Sequence, residues 1–460
     1  MLPLKLSEVA AACGGRLVCK DESVEVRGVS IDSRTLSPGD LFIGLRGEHD
    51  DGGDFAGAAL RAGAAAVVVR AETAAKLPPG GAHIVVDDGR VALARLASAV
   101  RARSGALVVA ITGSAGKTST KDILTALLRP VAEVVATRQN FNNEIGVPLT
   151  LLAAEHRTEV IVTELAMRGA GQIRDLARIA RPNLGVITNV APVHLELVGG
   201  MEDVAAAKAE LIEELGEGTV VVPEAEPLLD AHVRRHRGRV VTFGDPDGDV
   251  RAVENQRRGS GTHALIDAFG HRAAFDFNFT GEHYLTDALA AIAAFVELGY
   301  RLEEAKAGAA QVQFSALRGE IVALAGGGLM LNDTYNASPI SATAAVDHLL
   351  GIADGRPPVA ILGDMYELGP GAPAFHRAVG EYVGRAGVRL IAVGDLGRNY
   401  LAGAAGERWF ATVEACMEAL PEVVPAGSAV LVKASRAMHL ERIADALRRP
   451  AGEREESTDV

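Results

Sequence analysis

The chain has 460 residues, of which 48% are hydrophobic and only 3 are cysteines. This length is too great for one compact core, so we expect two or three domains, and scattered cysteines exclude a disulfide framework or a zinc cluster. The formal net charge of −13, without a basic stripe, argues against a nucleic-acid partner. No uninterrupted apolar run reaches membrane-spanning length, and the N-terminus does not resemble a signal peptide. We therefore predict a soluble, cytoplasmic monomer that binds no membrane.

The first part of the chain, residues 1–103, predicts a small α/β domain. Short β-branched runs at 24–29, 67–69 and 84–86 are separated by Gly and Asp turns, and an Ala-rich stretch near 55–62 predicts a helix.

Residues 104–317 predict a central, doubly wound domain, because buried-type strands alternate with helical patterns. The predicted strands are 107–111, 160–164, 184–188 and 220–222, and the predicted helices are 117–128, 171–180 and 201–215. Residues 250–280 are expected to form antiparallel hairpins, followed by a long helix at 282–299.

A third α/β region, Rossmann-like in its alternation, covers residues 318–450. Its predicted strands are 320–325, 329–333, 359–363, 389–393 and 429–433. The polar residues 451–460 are expected to be disordered. The prediction is thus an α/β protein of three domains.

A glycine-rich segment follows the first strand of the central domain. It consists of Gly113, Ser114, Ala115, Gly116, Lys117, Thr118 and Ser119. Glycines let a backbone approach an anion, and the free N–H groups of the following helix point towards it. Lysine would meet the β- and γ-phosphates and the threonine hydroxyl would face Mg²⁺. Of the lysines and arginines in the chain, only eight are lysines and the rest are arginines. A lysine in this motif therefore suggests a chemical role that arginine cannot fill. A glycine turn with a surface lysine is the weaker alternative.

The sequence T-G-S-A-G-K-T resembles the loop of the Mur ligase family and of its folylpolyglutamate synthetase relatives. Further segments resemble motifs of the family in the same order, at residues 29–55, 140–152, 163–173, 187–212, 331–349, 361–369 and 430–441. The resemblance implies a three-domain, ATP- and Mg²⁺-dependent ligase that forms an amide through an acyl phosphate. The last three segments point to the branch that joins D-Ala-D-Ala to UDP-N-acetylmuramoyl-tripeptide.

The resemblance also implies a catalytic and metal-binding set around the loop. Thr118, Glu164, His194 and Lys208 would bind metal, and Lys117 and Arg318 would contact the phosphates. Taken alone, Glu164 could be a helix cap or surface charge, His194 a structural residue and Arg318 an ordinary linker arginine. Lys208 has no acidic residue three or four positions away to pair with. The family carries a carbamylated lysine at this position, and an apolar surround would favour the uncharged amine that CO₂ needs.

The implied binding residues extend over all three regions. ATP would also meet His283, Asp287, Asp333 and Asn336; UDP would meet Ser30, Asp32, Ser33 and Arg34; the sugar-peptide would meet Asn142 and Asn143; and the dipeptide would meet Asp364, Glu367, Lys433, Ser435 and Arg436. The alternative for residues 30–34 and 333–338 is that they only form turns. The alternative for the dipeptide set is that its members are solvated loop charges. Asp287 is a departure, because the family pattern has Asn there.

Three rival functions remain open. A folylpolyglutamate-type ligase shares the loop and the lysine, but "DSRTLSPGD" and "KASR" argue against it. A regulatory P-loop NTPase would lack the third domain and the extra metal ligands. A degenerate UDP-binding module would not need a phosphate loop and metal ligands. The presence of Lys117, Thr118, Glu164, His194 and Lys208 therefore argues against this rival.

Overall fold

A computed structural model describes residues 1–47, 50–244, 246–402 and 408–448. The tail predicted to be disordered, residues 451–460, lies outside the described residues. The strands form three large sheets and one two-stranded sheet, and each large sheet comes from one continuous stretch of chain. The expected three-domain α/β fold is confirmed.

The N-terminal sheet has the strand order β2-β7-β6-β5-β4. Its strands and those of the small β1–β3 pair are β1 Leu4–Lys5, β2 Arg16–Val18, β3 Glu25–Val26, β4 Val29–Ser30, β5 Leu41–Ile43, β6 Ala66–Val69 and β7 His83–Val85. The helices are α1 Leu6–Cys13, α2 Ala56–Arg61, α3 Ala71–Ala74 and α4 Gly89–Arg103. Strands β4 to β7 are parallel, and β2 joins β7 antiparallel.

The central sheet has the order β16-β15-β14-β13-β12-β11-β8-β10-β9. Its strands are β8 Leu107–Thr112, β9 Val134–Ala136, β10 Val160–Glu164, β11 Leu184–Ile187, β12 Thr219–Pro223, β13 Val240–Phe243, β14 Val250–Arg258, β15 Gly261–Ala268 and β16 His271–Phe277. The helices are α5 Lys117–Leu128, α6 Gly146–Leu152, α7 Gln172–Ala180, α8 Leu195–Val198, α9 Met201–Glu214, α10 Asp230–Val233, α11 Glu282–Glu297 and α12 Lys306–Ala309. The predicted antiparallel hairpins are present as β14 to β16, and they extend the parallel sheet.

The C-terminal sheet has the order β17-β18-β22-β19-β20-β21. Its strands are β17 Glu320–Ala323, β18 Leu329–Asn332, β19 Pro358–Leu362, β20 Arg389–Val393, β21 Arg408–Phe410 and β22 Ala429–Lys433. The helices are α13 Pro339–Ile352, α14 Ala372–Arg385, α15 Val413–Val423 and α16 Glu441–Arg448. All neighbours are parallel except β17 and β18.

Burial of the central strands explains why their carboxyl ends can carry a site. Strands β8, β10 and β11 are adjacent and parallel, and β10 and β11 are buried along their whole length. Helices cover both faces of such a sheet, so polar side chains can reach a cleft only where the strands end. The loops after β8, β10 and β11 therefore meet at one edge.

Candidate nucleotide and substrate site

The loop between β8 and α5 adopts a backbone that only glycine tolerates at two positions. Gly113 has φ +148° and Gly116 has φ +79°. A Cβ atom on Gly113 would lie 1.9 Å from Thr188 Oγ1, and one on Gly116 would lie 2.3 Å from Asp287 Oδ1. The glycines of the motif are thus required both by the conformation and by the neighbouring side chains.

Side chains and carbonyls after β11 hold this loop in place. Asn189 Oδ1 accepts a hydrogen bond from the Ala115 N–H at 2.9 Å, and Asn189 Nδ2 donates to the Ala115 carbonyl at 3.2 Å. The Ser114 hydroxyl donates to the Ala191 carbonyl at 2.9 Å. The loop is therefore preformed at the N-terminus of α5, where backbone N–H groups favour an anion.

Lys117 folds back over the loop. Its Nζ donates to the Gly113 carbonyl at 2.8 Å, and the Ser114 carbonyl lies at 3.4 Å. Burial lowers the pKa of Lys117, while the nearby Glu164 acts in the opposite direction. The ammonium thus lies within the concave side of the loop, where a phosphate would meet it.

The predicted site residues Thr118 and Glu164 contact each other. The Thr118 hydroxyl donates to Glu164 Oε2 at 2.8 Å, and Asn142 Nδ2 donates to Glu164 Oε1 at 2.8 Å. The Glu164 N–H is bonded to Thr137 Oγ1 at 3.0 Å, and the residue is only 1% exposed. These are hard oxygen donors beside an anion loop, which suits Mg²⁺ that completes its shell with phosphate oxygens and water.

His194 contacts the C-terminal domain. It follows β11 in the left-handed conformation, with φ 55°, and its Nδ1 is hydrogen-bonded to the Glu367 carboxylate. Burial lowers the pKa of His194, and Glu367 acts against this shift. Arg168 lies 3.9 Å from the same carboxylate. The structure thus brings together two predicted site residues that belong to different domains.

Lys208 lies on α9 and is 1% exposed. In the described part of the chain its ammonium has no hydrogen-bond or ion-pair partner. Burial, with a smaller effect of Lys117, holds the pKa of Lys208 well below its usual value. A neutral amine is the form that such an environment favours.

Residues predicted to contact ATP converge from the central and C-terminal domains. Arg318 lies over the ring of Tyr335, with its Cζ 3.8 Å from the ring centroid. Asp333 accepts from Lys433 Nζ at 2.5 Å, and Lys433 also donates to the Asn336 carbonyl at 2.8 Å. His283, whose pKa burial lowers to about 3, lies beside His348.

A single cavity of about 1510 Å³ connects these groups. From the predicted site residues, its wall includes Ser114, Ala115, Gly116, Lys117, Thr118, Ser119, Asn142, Asn143, Glu164, His194, His283, Asp287, Arg318, Asp333, Asn336, Glu367, Lys433, Ser435 and Arg436. The prediction missed Asn189, Tyr335 and Tyr366, which also line it. Asn189 lies after β11, as His194 does. Its position after the end of a buried strand is the sequence signal that could have identified it.

Some predicted residues are engaged elsewhere. Asp364 does not line the cavity; its carboxylate accepts from the Gly397 N–H at 2.7 Å. Lys433 lines it, but its ammonium is bound to Asp333. The Ser435 hydroxyl accepts from the Tyr366 N–H at 2.9 Å, and Arg436 pairs with Glu441 at 2.9 Å.

The predicted UDP residues of the N-terminal domain, 30–34, lie apart from this cavity. Arg34 pairs with Asp32 at 2.7 Å, and the Ser30 hydroxyl donates to the Asp32 carbonyl at 2.8 Å. Ser33 is half-buried beside them. The structure shows the local turn that the sequence offered as an alternative.

The described residues contain neither a cluster of metal-ligating side chains nor a membrane-spanning helix. Within 1–47, 50–244, 246–402 and 408–448, no three His, Cys, Asp or Glu side chains are grouped closely enough to hold a metal ion. None of the helices in these ranges has both the length and the apolarity needed to span a bilayer.

The fold and the loop define a P-loop α/β protein, and comparison with known proteins gives its family. Residues 25–101 match the family described as "Mur ligase family, catalytic domain", residues 111–295 the "Mur ligase middle domain", and residues 317–436 the "Mur ligase, glutamate ligase domain". The chain belongs to the Mur ligase family.

Individual relatives match nearly the whole chain. The UDP-N-acetylmuramoyl-tripeptide–D-alanyl-D-alanine ligase of Bacillus subtilis is 35% identical, over 92% of this chain and 93% of its own. The enzyme of that name from Mycobacterium tuberculosis is 35% identical, over 97% and 98%. The crystal structure of MurF from Acinetobacter baumannii has a TM-score of 0.87 at 29% identity, covering 97% and 99%. MurF ligase from Thermotoga maritima, solved in complex with ADP, has a TM-score of 0.81 at 29% identity, covering 92% and 97%.

Proposed function

We propose that this protein is an ATP-dependent ligase that joins D-Ala-D-Ala to UDP-N-acetylmuramoyl-tripeptide, in the cytoplasmic synthesis of peptidoglycan precursors. One observation carries the proposal. A preformed phosphate loop and polar loops of the C-terminal domain face the same cavity, so a phosphorylated substrate and an incoming amine can meet there. The near full-length match to relatives of that name supports the choice of substrates.

The chemistry begins with a carboxylate oxygen of the tripeptide attacking the γ-phosphorus of ATP. An acyl phosphate forms and ADP leaves. The amine of D-Ala-D-Ala then attacks the acyl carbon, phosphate departs with the former carboxylate oxygen, and the amine loses a proton. Lys117 and the N–H groups of the loop neutralise charge on the transferring group, and Arg318 adds a second cation from the C-terminal side.

Mg²⁺ fits the oxygen donors beside the loop. Thr118 and Glu164 would hold it, and His194 is proposed as a further ligand. When bound, the ion supplies charge neutralisation at the phosphates. Hydrogen bonds from Asn142 and Thr118 orient the Glu164 carboxylate towards the loop.

Lys208 is proposed to react with CO₂. The neutral amine forms an N–C bond to the carbon as one C–O π bond opens, and one amine proton goes to solvent. The uncharged amine thus becomes an anionic carbamate near Lys117. Three observations support this assignment: Lys208 is buried, its amine has no partner among the described residues, and its pKa is lowered.

The remaining substrate contacts are proposed from the resemblance to the Mur ligase family. Ser30, Asp32, Ser33 and Arg34 are proposed to bind the UDP group, and Asn142 and Asn143 the sugar-peptide. Arg436 is proposed to bind the dipeptide carboxylate, and Glu367 and Ser435 to orient its ammonium. These loops belong to the proposed domains 1–103, 104–317 and 318–450 of a monomer.

Product analysis by mass spectrometry tests the substrate choice. With ATP, Mg²⁺ and UDP-N-acetylmuramoyl-tripeptide, we expect amide product with D-Ala-D-Ala and none with L-Ala-L-Ala. A mixture of folate and glutamate serves as the control for the rival ligase. Product from that mixture alone would replace the proposed function with the rival one.

A further inference from the structure

Asp287 is a buried carboxyl group that contacts the phosphate loop at Gly116. It lies on α11 and is 7% exposed, and its Oδ1 occupies the space that a Cβ on Gly116 would need. The residue also lines the large cavity. A carboxyl group thus lies next to the backbone that would wrap around phosphates.

The groups around Asp287 do not supply a direct counter-ion. The hydroxyls of Ser119 and Thr120 face it from α5, and Arg318 acts on it from the linker to the C-terminal domain. Tyr284 is the titratable neighbour on its own helix. No ion pair to Asp287 is found in the described parts of the chain. Burial outweighs the hydroxyls and Arg318, and raises the pKa of Asp287 to about 7.

An ionised Asp287 and a bound nucleotide oppose each other. Two like charges in a water-poor cleft repel far more strongly than in bulk water. A protonated carboxyl carries no charge and can donate a hydrogen bond as well as accept one. Binding of an anion at the loop therefore favours the protonated form.

We propose that the nucleotide binds to the form of this protein in which Asp287 carries a proton, so that nucleotide binding takes up a proton at this residue. Asp287 is thus a determinant of nucleotide affinity in this chain. The inference rests on the proposed function only in that the loop binds ADP and ATP; it needs neither the acceptor nor the dipeptide.

Calorimetric titration of the full chain with ADP and Mg²⁺ between pH 6 and 8.5 tests this proposal. The variant Asp287→Asn keeps the shape of the side chain but has no proton to exchange. We expect the ratio of the wild-type Kd to the variant Kd to stay flat below pH 7 and to rise about tenfold for each pH unit above it. The phosphate groups of ADP titrate in both proteins, so the ratio removes their contribution.

A control variant and a second readout keep the test decisive. Glu282→Gln removes an exposed carboxyl from the same helix and should leave the wild-type pH dependence unchanged. In buffers of different ionisation enthalpy at pH 8, wild type should take up about one proton more per ADP than Asp287→Asn. A ratio that is flat with pH, or equal proton uptake, would overturn the inference. Loss of ADP binding in both proteins would instead count against the nucleotide site itself.

Discussion

The Lys117 ammonium donates to the Gly113 carbonyl of the phosphate loop, and its replacement is the simplest test at the scale of one residue. We expect Lys117→Ala to abolish turnover while circular dichroism stays unchanged, because the charge that meets the transferring phosphate is lost. Lys306→Ala, which removes an exposed lysine, is the matched control and should retain activity. Amide formation at the wild-type rate in Lys117→Ala would remove the loop from the mechanism.

Chemical rescue can test the proposed carbamate at Lys208. We expect Lys208→Ala to be inactive and to regain part of its activity in acetate or formate, which would supply the carboxylate that a carbamate provides. Lys117→Ala serves as the control, because a small carboxylate cannot replace a cation there. If Lys208→Ala is inactive and neither salt restores activity, Lys208 has a packing role. If the variant is fully active, Lys208 is excluded from the site.

Replacing Lys433 and replacing Arg436 should raise the KM values of different substrates. Lys433 is bound to Asp333 and to the Asn336 carbonyl, so Lys433→Met should raise the KM for ATP several-fold more than the KM for D-Ala-D-Ala. Arg436→Met should show the opposite preference. If both variants raise the dipeptide KM alone, Lys433 belongs to the dipeptide pocket as the sequence first suggests.

Spacing fixes which residues follow a strand end, so the sequence could place Lys117, Thr118 and Glu164 near one edge of the sheet. In the structure Thr118 bonds to Glu164, and Lys117 bonds to the Gly113 carbonyl. Side-chain direction is what the sequence could not give: Asp364 turns to the Gly397 N–H, and Lys433 turns to Asp333. The pairing of His194 with Glu367 depends on how two domains pack, which local patterns do not encode.

At the scale of one element, the β8–loop–α5 unit depends on its glycines. Gly116→Ala must adopt a left-handed backbone and place a Cβ 2.3 Å from Asp287 Oδ1. Such a conformation costs about 1–2 kcal/mol before any clash. We therefore expect the Kd for ADP to rise at least about tenfold, as measured by calorimetry. Gly105→Ala, at an exposed glycine with open space around it, is the control and should bind normally.

The elements predicted best are those with strong periodicity or full burial. The strands at 107–112, 160–164 and 184–187 form as near-continuous apolar runs. The edge strands β9 and β21 were missed, since each has only three residues and is incompletely buried. Helix α4 was also missed, although Asp88 caps its first N–H groups and its buried residues recur every three or four positions.

At the scale of the whole molecule, side chains of the central and C-terminal domains contact each other. Thr280 Oγ1 and His348 Nε2 lie 2.8 Å apart, and Arg257 contacts Asp354 at 3.1 Å. We expect nucleotide and the UDP-substrate together to reduce the radius of gyration in X-ray scattering, because the ligands bind between the domains. The variant Arg257→Ala should close less completely. Scattering curves that are identical with and without both ligands would contradict closure.

The transfer of a labelled oxygen tests the acyl phosphate most directly. UDP-N-acetylmuramoyl-tripeptide carrying ¹⁸O in the reacting carboxylate is incubated with ATP, Mg²⁺ and D-Ala-D-Ala, and the released phosphate is examined by mass spectrometry. We predict one ¹⁸O atom in each phosphate formed, with release that depends on both substrates. Phosphate free of label, or released at the same rate without the UDP-substrate, would contradict the ligase mechanism.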